Sequence, residues 1–287
     1  MSLRQLFSIT KRVLQLSLGL CLFLTAEARA NPKPHFSKVL VVVFENTDFD
    51  VAMKNPVLNR LTLQGVLLDH FSGVVHPSQG NYISMVAGSA FGIHHDNNID
   101  LNKQHIGDQL EKAGMDWRLY AEDLPSPCFL GESKGKYYRK HVPFLSFTNV
   151  SKNPQRCANV VNADTLLSDL SSNSLANYTM IVPNIVNDGH DGGQAAIQRW
   201  SQKYLVPFLS IPKNLEDTLV VVTFDESDSY FSNRIYTVLL GAGLTPNTVN
   251  SQALTHTDIL ALIQNEWNLG HLPQQEPAIE IKNLWKN

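Results

Sequence analysis

The sequence predicts an α/β fold in which helices sandwich a largely parallel central sheet. Two observations carry that prediction. Four short apolar runs rich in β-branched residues, 39–44, 178–182, 219–224 and 235–240, are too brief for helices and read as strands buried on both faces. Between them lie stretches with apolar residues three and four apart, the spacing of one helix face. A third observation sets the scale. The chain has 287 residues, 43% of them hydrophobic, and no Ser/Gly/Pro-rich linker, so residues 31–287 are expected to form a single domain around one core.

Each element follows in order. Run 39–44 is the first strand and leads into Glu45-Asn46. Weaker strand patterns cover 66–71 and 117–120. Between these two lies His76-Pro77-Ser78-Gln79-Gly80-Asn81-Tyr82, in which Pro77 fixes the entry to a turn. Ser78 then opens a short helix expected to end near Gly88. Helical spacing recurs over 106–113, 163–170, 197–209 and 259–267. Run 178–182 continues towards Asn184, Asp188 and His190, and run 219–224 into Asp225-Glu226. Ligands in open α/β sheets bind beyond the carboxyl ends of the strands. Three strands delivering carboxylates, amides and a histidine to one edge therefore define a candidate site.

Composition narrows the function. A formal net charge of −3 with no dense basic run excludes nucleic acid as the principal partner. Residues 1–30 combine Arg4, Lys11 and Arg12, an apolar stretch over 13–24, and Ala28-Arg29-Ala30. That is the pattern of an export signal cleaved after Ala30. The apolar stretch is shorter than the ~20 residues a membrane span needs, so no stable anchor is expected and the protein is read as secreted or periplasmic. Cys128 and Cys157 then remain. In an oxidising compartment two such cysteines are expected to pair as a structural disulfide.

The chemistry starts from Ser78. A serine hydroxyl needs a base or a metal to become a nucleophile. Glu45, Asn46, Asp225 and Glu226, with Ser78 itself, offer an oxygen-rich set suited to one hard or borderline divalent cation. Such an ion lowers the serine pKa and draws charge from a phosphoryl oxygen, while a helix N-terminus favours a bound phosphate. His141 and His190 titrate in the range needed to bind phosphate or protonate a leaving alcohol. Asn81, Asn97, Asp188 and His256 complete the expected substrate-binding set.

Five segments occur in one order: Glu45-Asn46; His76 to Tyr82; Arg139-Lys140-His141-Val142-Pro143-Phe144; Pro183-Asn184 with Asn187-Asp188-Gly189-His190-Asp191; and Thr223-Phe224-Asp225-Glu226. That order resembles the phosphoesterase family of exported acid phosphatases and bacterial phospholipases C, within the alkaline-phosphatase-like superfamily. The resemblance implies a phosphoseryl intermediate on Ser78, with Glu45, Asn46, Asp225, Glu226 and Ser78 holding the metal. It places His141 and His190 in the phosphate pocket. Asn184 stands where two-metal superfamily members use a charged ligand, so a single cation is expected. No C-terminal extension like that of the larger phospholipases C is expected beyond Asn287, so small phosphate monoesters are expected over phospholipid diesters. From another class, a phosphate-binding protein without turnover is the alternative.

Overall fold

A computed structural model describes residues 33–286. The leader read over residues 1–30 lies outside the described residues. Residues Pro34–Asn287 constitute one compact unit.

An eight-stranded sheet forms the centre. Its strands are β1 (Lys38–Phe44), β2 (Val66–Leu68), β3 (Trp117–Ala121), β4 (Val160–Asn162), β5 (Tyr178–Val182), β6 (Thr218–Phe224), β7 (Thr237–Gly241) and β8 (Thr248–Asn250). They lie in the order β8-β2-β7-β6-β1-β5-β3-β4. All neighbours run parallel except β7, which is antiparallel to both β6 and β2. The sheet is thus largely parallel, as its apolar runs foretold. The one reversed strand has the same continuous apolar character as its neighbours, so composition does not reveal its direction.

Helices cover both faces. Successive side chains on a strand point to opposite faces. Val41 lines a small void with Met85, Ile259 and Ile263, from α2 (Gln79–Ala87) and α6 (His256–Glu266). Phe44, of opposite parity, meets Trp200 edge-on at 5.6 Å, at the end of α5 (Gly193–Trp200). Shorter helices α1 (Pro56–Thr62), α3 (Ile106–Lys112) and α4 (Leu166–Ser171) complete the layers. The helix read over 197–209 is instead α5, a wider π-helical turn at Ser201–Leu205 and a last turn at Val206–Leu209. Among the described residues, no helix is long and apolar enough to cross a membrane.

Cys128 and Cys157 are joined by a disulfide that closes a loop of sequence separation 29. Such a link restricts the unfolded chain. Reduction is expected to lower stability by about 2–4 kcal/mol in chemical denaturation while sparing the rest of the fold. Identical unfolding midpoints with and without reductant would assign the bond no stabilising role.

Register does the positioning. Phe44 of β1 stands opposite Phe224 of β6, so the next residues, Glu45-Asn46 and Asp225-Glu226, leave the sheet side by side. The Asp225 N–H donates to the Phe44 carbonyl at 3.0 Å, and the Glu45 N–H to the Asp188 carbonyl at 2.9 Å. Three parallel strands therefore deliver their carboxyl-terminal residues to one edge.

Candidate active site

Ser78 precedes α2 and is 1% exposed. Its side chain makes no capping bond to the helix. Instead Oγ donates to Glu45 Oε1 at 2.5 Å and lies 3.1 Å from Glu226 Oε1. The first turn of the helix after it is packed tightly. A Cβ on Gly80 would come within 2.5 Å of Val75 Cγ2 and 2.7 Å of the Ile93 carbonyl, so only glycine fits under these two loops.

Four carboxylates converge on this edge. Glu45, Asp188 and Asp225 are fully buried and Glu226 is 4% exposed. His141 Nε2 lies 2.7 Å from Glu45 Oε2, and its Nδ1 lies 3.6 Å from Asp188 Oδ2. Glu45, His141 and Asp188 each offer one donor atom, all within 4.8 Å of one another, a group able to hold a metal ion.

The polar inventory fits a cation. Glu45 Oε2, Asn46 Oδ1, His141 Nε2, Asp188 Oδ2 and Asp225 Oδ2 are buried without a hydrogen-bond partner. Buried polar atoms are ordinarily satisfied, and the short His141–Glu45 approach is not aligned as a hydrogen bond. Ionisation follows the same logic. Burial pushes Asp225 and Asp188 well above the ordinary carboxylate range, and the charge of Glu45 adds to it. Burial lifts Glu226 to about 7. For Glu45 burial works upwards too, but His141 and Lys140 outweigh it and bring the group to about 2. So many buried acids need a positive partner or protons.

This has a sign that can be measured. In metal-free protein Glu226 keeps its proton up to about pH 7, whereas its ordinary value is 4.5. Between these values the unfolded chain binds fewer protons, so this contribution to stability falls as pH rises. A cation bound there would displace that proton, and its binding would strengthen with pH across the same window. The increase in Tm on adding a divalent metal is expected to grow from pH 5 to pH 7. A gain that is constant or shrinks would separate Glu226 and its neighbours from metal binding.

The remaining expected site residues distribute unevenly. Asn46 adopts a left-handed φ of 42°, and its N–H donates to Asp225 Oδ1 at 3.3 Å. His190 is not gathered in. Gly189, at φ 107°, turns the chain so that Asp188 faces inward, while the His190 ring is 37% exposed and paired with Asp191 at 2.8 Å. Asn81 spends its amide on structure: Oδ1 accepts from the Val74 and Val75 N–H groups and Nδ2 donates to the Val75 carbonyl. That holds the loop before Ser78 and leaves the side chain unsuited to a substrate. Asn97 is exposed, and its neighbour Asp96 points inward in its place, accepting from the Gln79 N–H at 3.1 Å. Asp188 stands with His141 and Glu45 in the group able to hold a metal ion, a place for a ligand of an ion and not for a contact to substrate. His256 is buried beneath the site and donates Nε2–H to the Asp225 carbonyl at 2.8 Å. Burial lowers its pKa to about 4, so it stays neutral and positions Asp225.

Three further residues reach the site. His76 Nδ1 meets Glu226 Oε2. Lys140 Nζ lies 3.7 Å from Glu45 Oε1 and 2.8 Å from Asp96 Oδ2. Tyr82 stacks on His141 at 5.0 Å, its hydroxyl buried without a partner. His76 and Lys140 adjoin residues the sequence does single out. Tyr82 follows Ser78 by one helical turn and shares its face, which is a readable signal.

Comparison with known proteins agrees with this architecture. The murine ectonucleotide pyrophosphatase/phosphodiesterase 5 superposes with a TM-score of 0.56 at 12% identity, covering 85% of this chain and 97% of that one. An alkaline phosphatase superfamily protein from Vibrio parahaemolyticus gives 0.55 at 10% identity, covering 84% and 68%. The fold is the one these two structures share. The chain belongs to the phosphoesterase family, which it matches over residues 51–270. A probable acid phosphatase of Kluyveromyces lactis is 34% identical over 266 residues, covering 88% of this chain and 63% of that protein. An acid phosphatase of Aspergillus fumigatus is 31% identical over 265 residues, covering 88% and 59%. The chain thus spans about three fifths of the length of these fungal relatives. A phosphatidylinositol-3-phosphatase of Mycobacterium tuberculosis is 31% identical over 262 residues, covering 89% of this chain and 85% of that one.

Proposed function

We propose that this protein is an exported, metal-dependent hydrolase of phosphate monoesters that works through a phosphoserine at Ser78. The observation that carries the reading is the setting of Ser78 Oγ. It is buried before a helix, 2.5 Å from one carboxylate and 3.1 Å from another, beside a group able to hold a metal ion.

Glu45, Asn46, Asp225, Glu226 and Ser78, with His141 and Asp188 adjoining, are the residues that would hold one divalent cation. When bound, such an ion supplies Lewis acidity for the phosphoryl oxygens and lowers the serine pKa. The chain's own groups do the rest. Ser78 Oγ attacks phosphorus and its proton passes to a neighbouring carboxylate. The bond from phosphorus to the ester oxygen breaks, and the alcohol leaves after taking up a proton. Water then attacks phosphorus, releasing inorganic phosphate and regenerating the Ser78 hydroxyl. Tyr82 packs the His141 ring in place, and His256 holds the Asp225 backbone, so the acids keep their geometry between steps.

The fungal relatives named acid phosphatases support a monoester. The mycobacterial relative's name keeps a phospholipid phosphomonoester among the substrates. The test is a panel of soluble phosphomonoesters, a phosphoinositide monophosphate, phosphodiesters and carboxyl esters, run with chelator and with added divalent metals. Monoester turnover that is lost with chelator and restored by metal is expected. Carboxyl-ester turnover indifferent to chelator would assign an esterase, and diester turnover alone a phospholipase C-type enzyme.

A further inference from the structure

Asp96 is a charged group at the site for which the hydrolytic scheme has no use. It sits in the irregular segment 94–98, where His94, His95, Asn97 and Asn98 are exposed. Its carboxylate nevertheless turns inward. Oδ1 accepts from the Gln79 N–H at 3.1 Å, and Oδ2 pairs with Lys140 Nζ at 2.8 Å. Gln79 is the residue after Ser78. Lys140 Nζ is also 3.7 Å from Glu45 Oε1, the oxygen that accepts from Ser78 Oγ.

These two donors border the nucleophile from two independent elements, a helix and the segment carrying His141. Lys140 is 15% exposed. Asp96 and Glu45 thus share one ammonium, at 2.8 and 3.7 Å. A carboxylate there is an anion kept among anions by one ammonium and one backbone N–H.

A phosphoryl group on its way to Ser78 Oγ lies one bond from that oxygen, and its other oxygens need donors of this kind. We propose that Asp96 is a resident anion in the phosphoryl-binding position, which the phosphoryl oxygens of a substrate or of inorganic phosphate replace on Gln79 N–H and Lys140 Nζ. The proposal rests on the phosphoesterase reading of Ser78. Asp96 can leave cheaply, because its side chain is 32% exposed on a segment without regular structure. Exchange favours a dianion: a singly charged ligand merely substitutes one charge for another, whereas a phosphate monoester brings more charge to the same donors. Asp96 therefore lowers the affinity for phosphate and sets how strongly charged a ligand must be.

The experiment measures inorganic phosphate as a competitive inhibitor, and by calorimetry, on the metal-loaded protein and on the Asp96→Asn, Asp96→Ala and Lys140→Met variants. Both Asp96 variants are expected to bind phosphate about tenfold more tightly, with KM for a monoester falling in parallel. Lys140→Met is expected to weaken phosphate binding by a similar factor. Phosphate affinity that is unchanged or weaker in both Asp96 variants would overturn the proposal and make Asp96 a brace for Lys140. Asp96→Asn, nearly the same shape, decides the matter should Asp96→Ala fold poorly. Calorimetry keeps the two readings apart. Wild-type protein without monoester turnover under any metal would sink the phosphoesterase reading, while phosphate affinity in the Asp96 variants would still report on Asp96.

Discussion

Ser78→Ala is expected to reduce monoester hydrolysis by on the order of 10⁴-fold or more while leaving the fold unchanged. The substitution removes the attacking oxygen and, with it, one donor to the cation. Structure should be indifferent, because Ser78 makes no side-chain cap to α2 and the side chain lost is small. Phosphate release with a chromogenic monoester measures the first part, and a thermal melt the second. Turnover near the wild-type rate would remove Ser78 from the mechanism. A collapsed melting temperature would show that the hydroxyl is structural.

Glu45→Gln is expected to have the broadest effect of any single change. Glu45 is fully buried and touches Ser78, His141 and Lys140 at once. The amide keeps the shape and loses the charge, so two cationic or protonatable partners lose their counter-ion in a buried site. Altering a group one step removed from a metal typically costs 10–100-fold in affinity, so removing a ligand's charge should cost about 100-fold or more. Elemental analysis after dialysis checks retention directly. Stoichiometric metal in Glu45→Gln would place the cation elsewhere.

The sheet was legible because its strands are continuous β-branched runs: residues 178–182 coincide with β5, and residues 39–44 differ from β1 by one residue. What escaped detection was short or directional. β4 has three residues, Val160–Asn162, too few for a pattern. The ends of β1 and β6 also announced their acids, since a parallel sheet brings adjacent carboxyl ends together whatever the loops do. Side-chain direction beyond those ends was not legible. His190 and Asp188 are two residues apart, and only the left-handed turn at Gly189 decides which faces inward. Asp96 and Asn97 are neighbours in an irregular loop, where no periodicity says which one reaches Gln79. His141, expected to bind phosphate or protonate a leaving alcohol, stands between Glu45 and Asp188, a placement set by the short helical turn Arg139–His141. Asn81 looked like a pocket amide, but the loop at Val74 and Val75 consumes its bonds.

The claim beneath all of these expectations is that a cation sits between the Ser78 hydroxyl and the acids beyond β1 and β6. Anomalous scattering from a crystal of the protein soaked with Mn²⁺ tests it most directly. One strong peak is expected about 2.0–2.6 Å from Ser78 Oγ, with oxygens of Glu45 and Asp225 at similar distances. A fully soaked crystal with no peak in this pocket, or with its peak out of bonding reach of Ser78 Oγ, would contradict it.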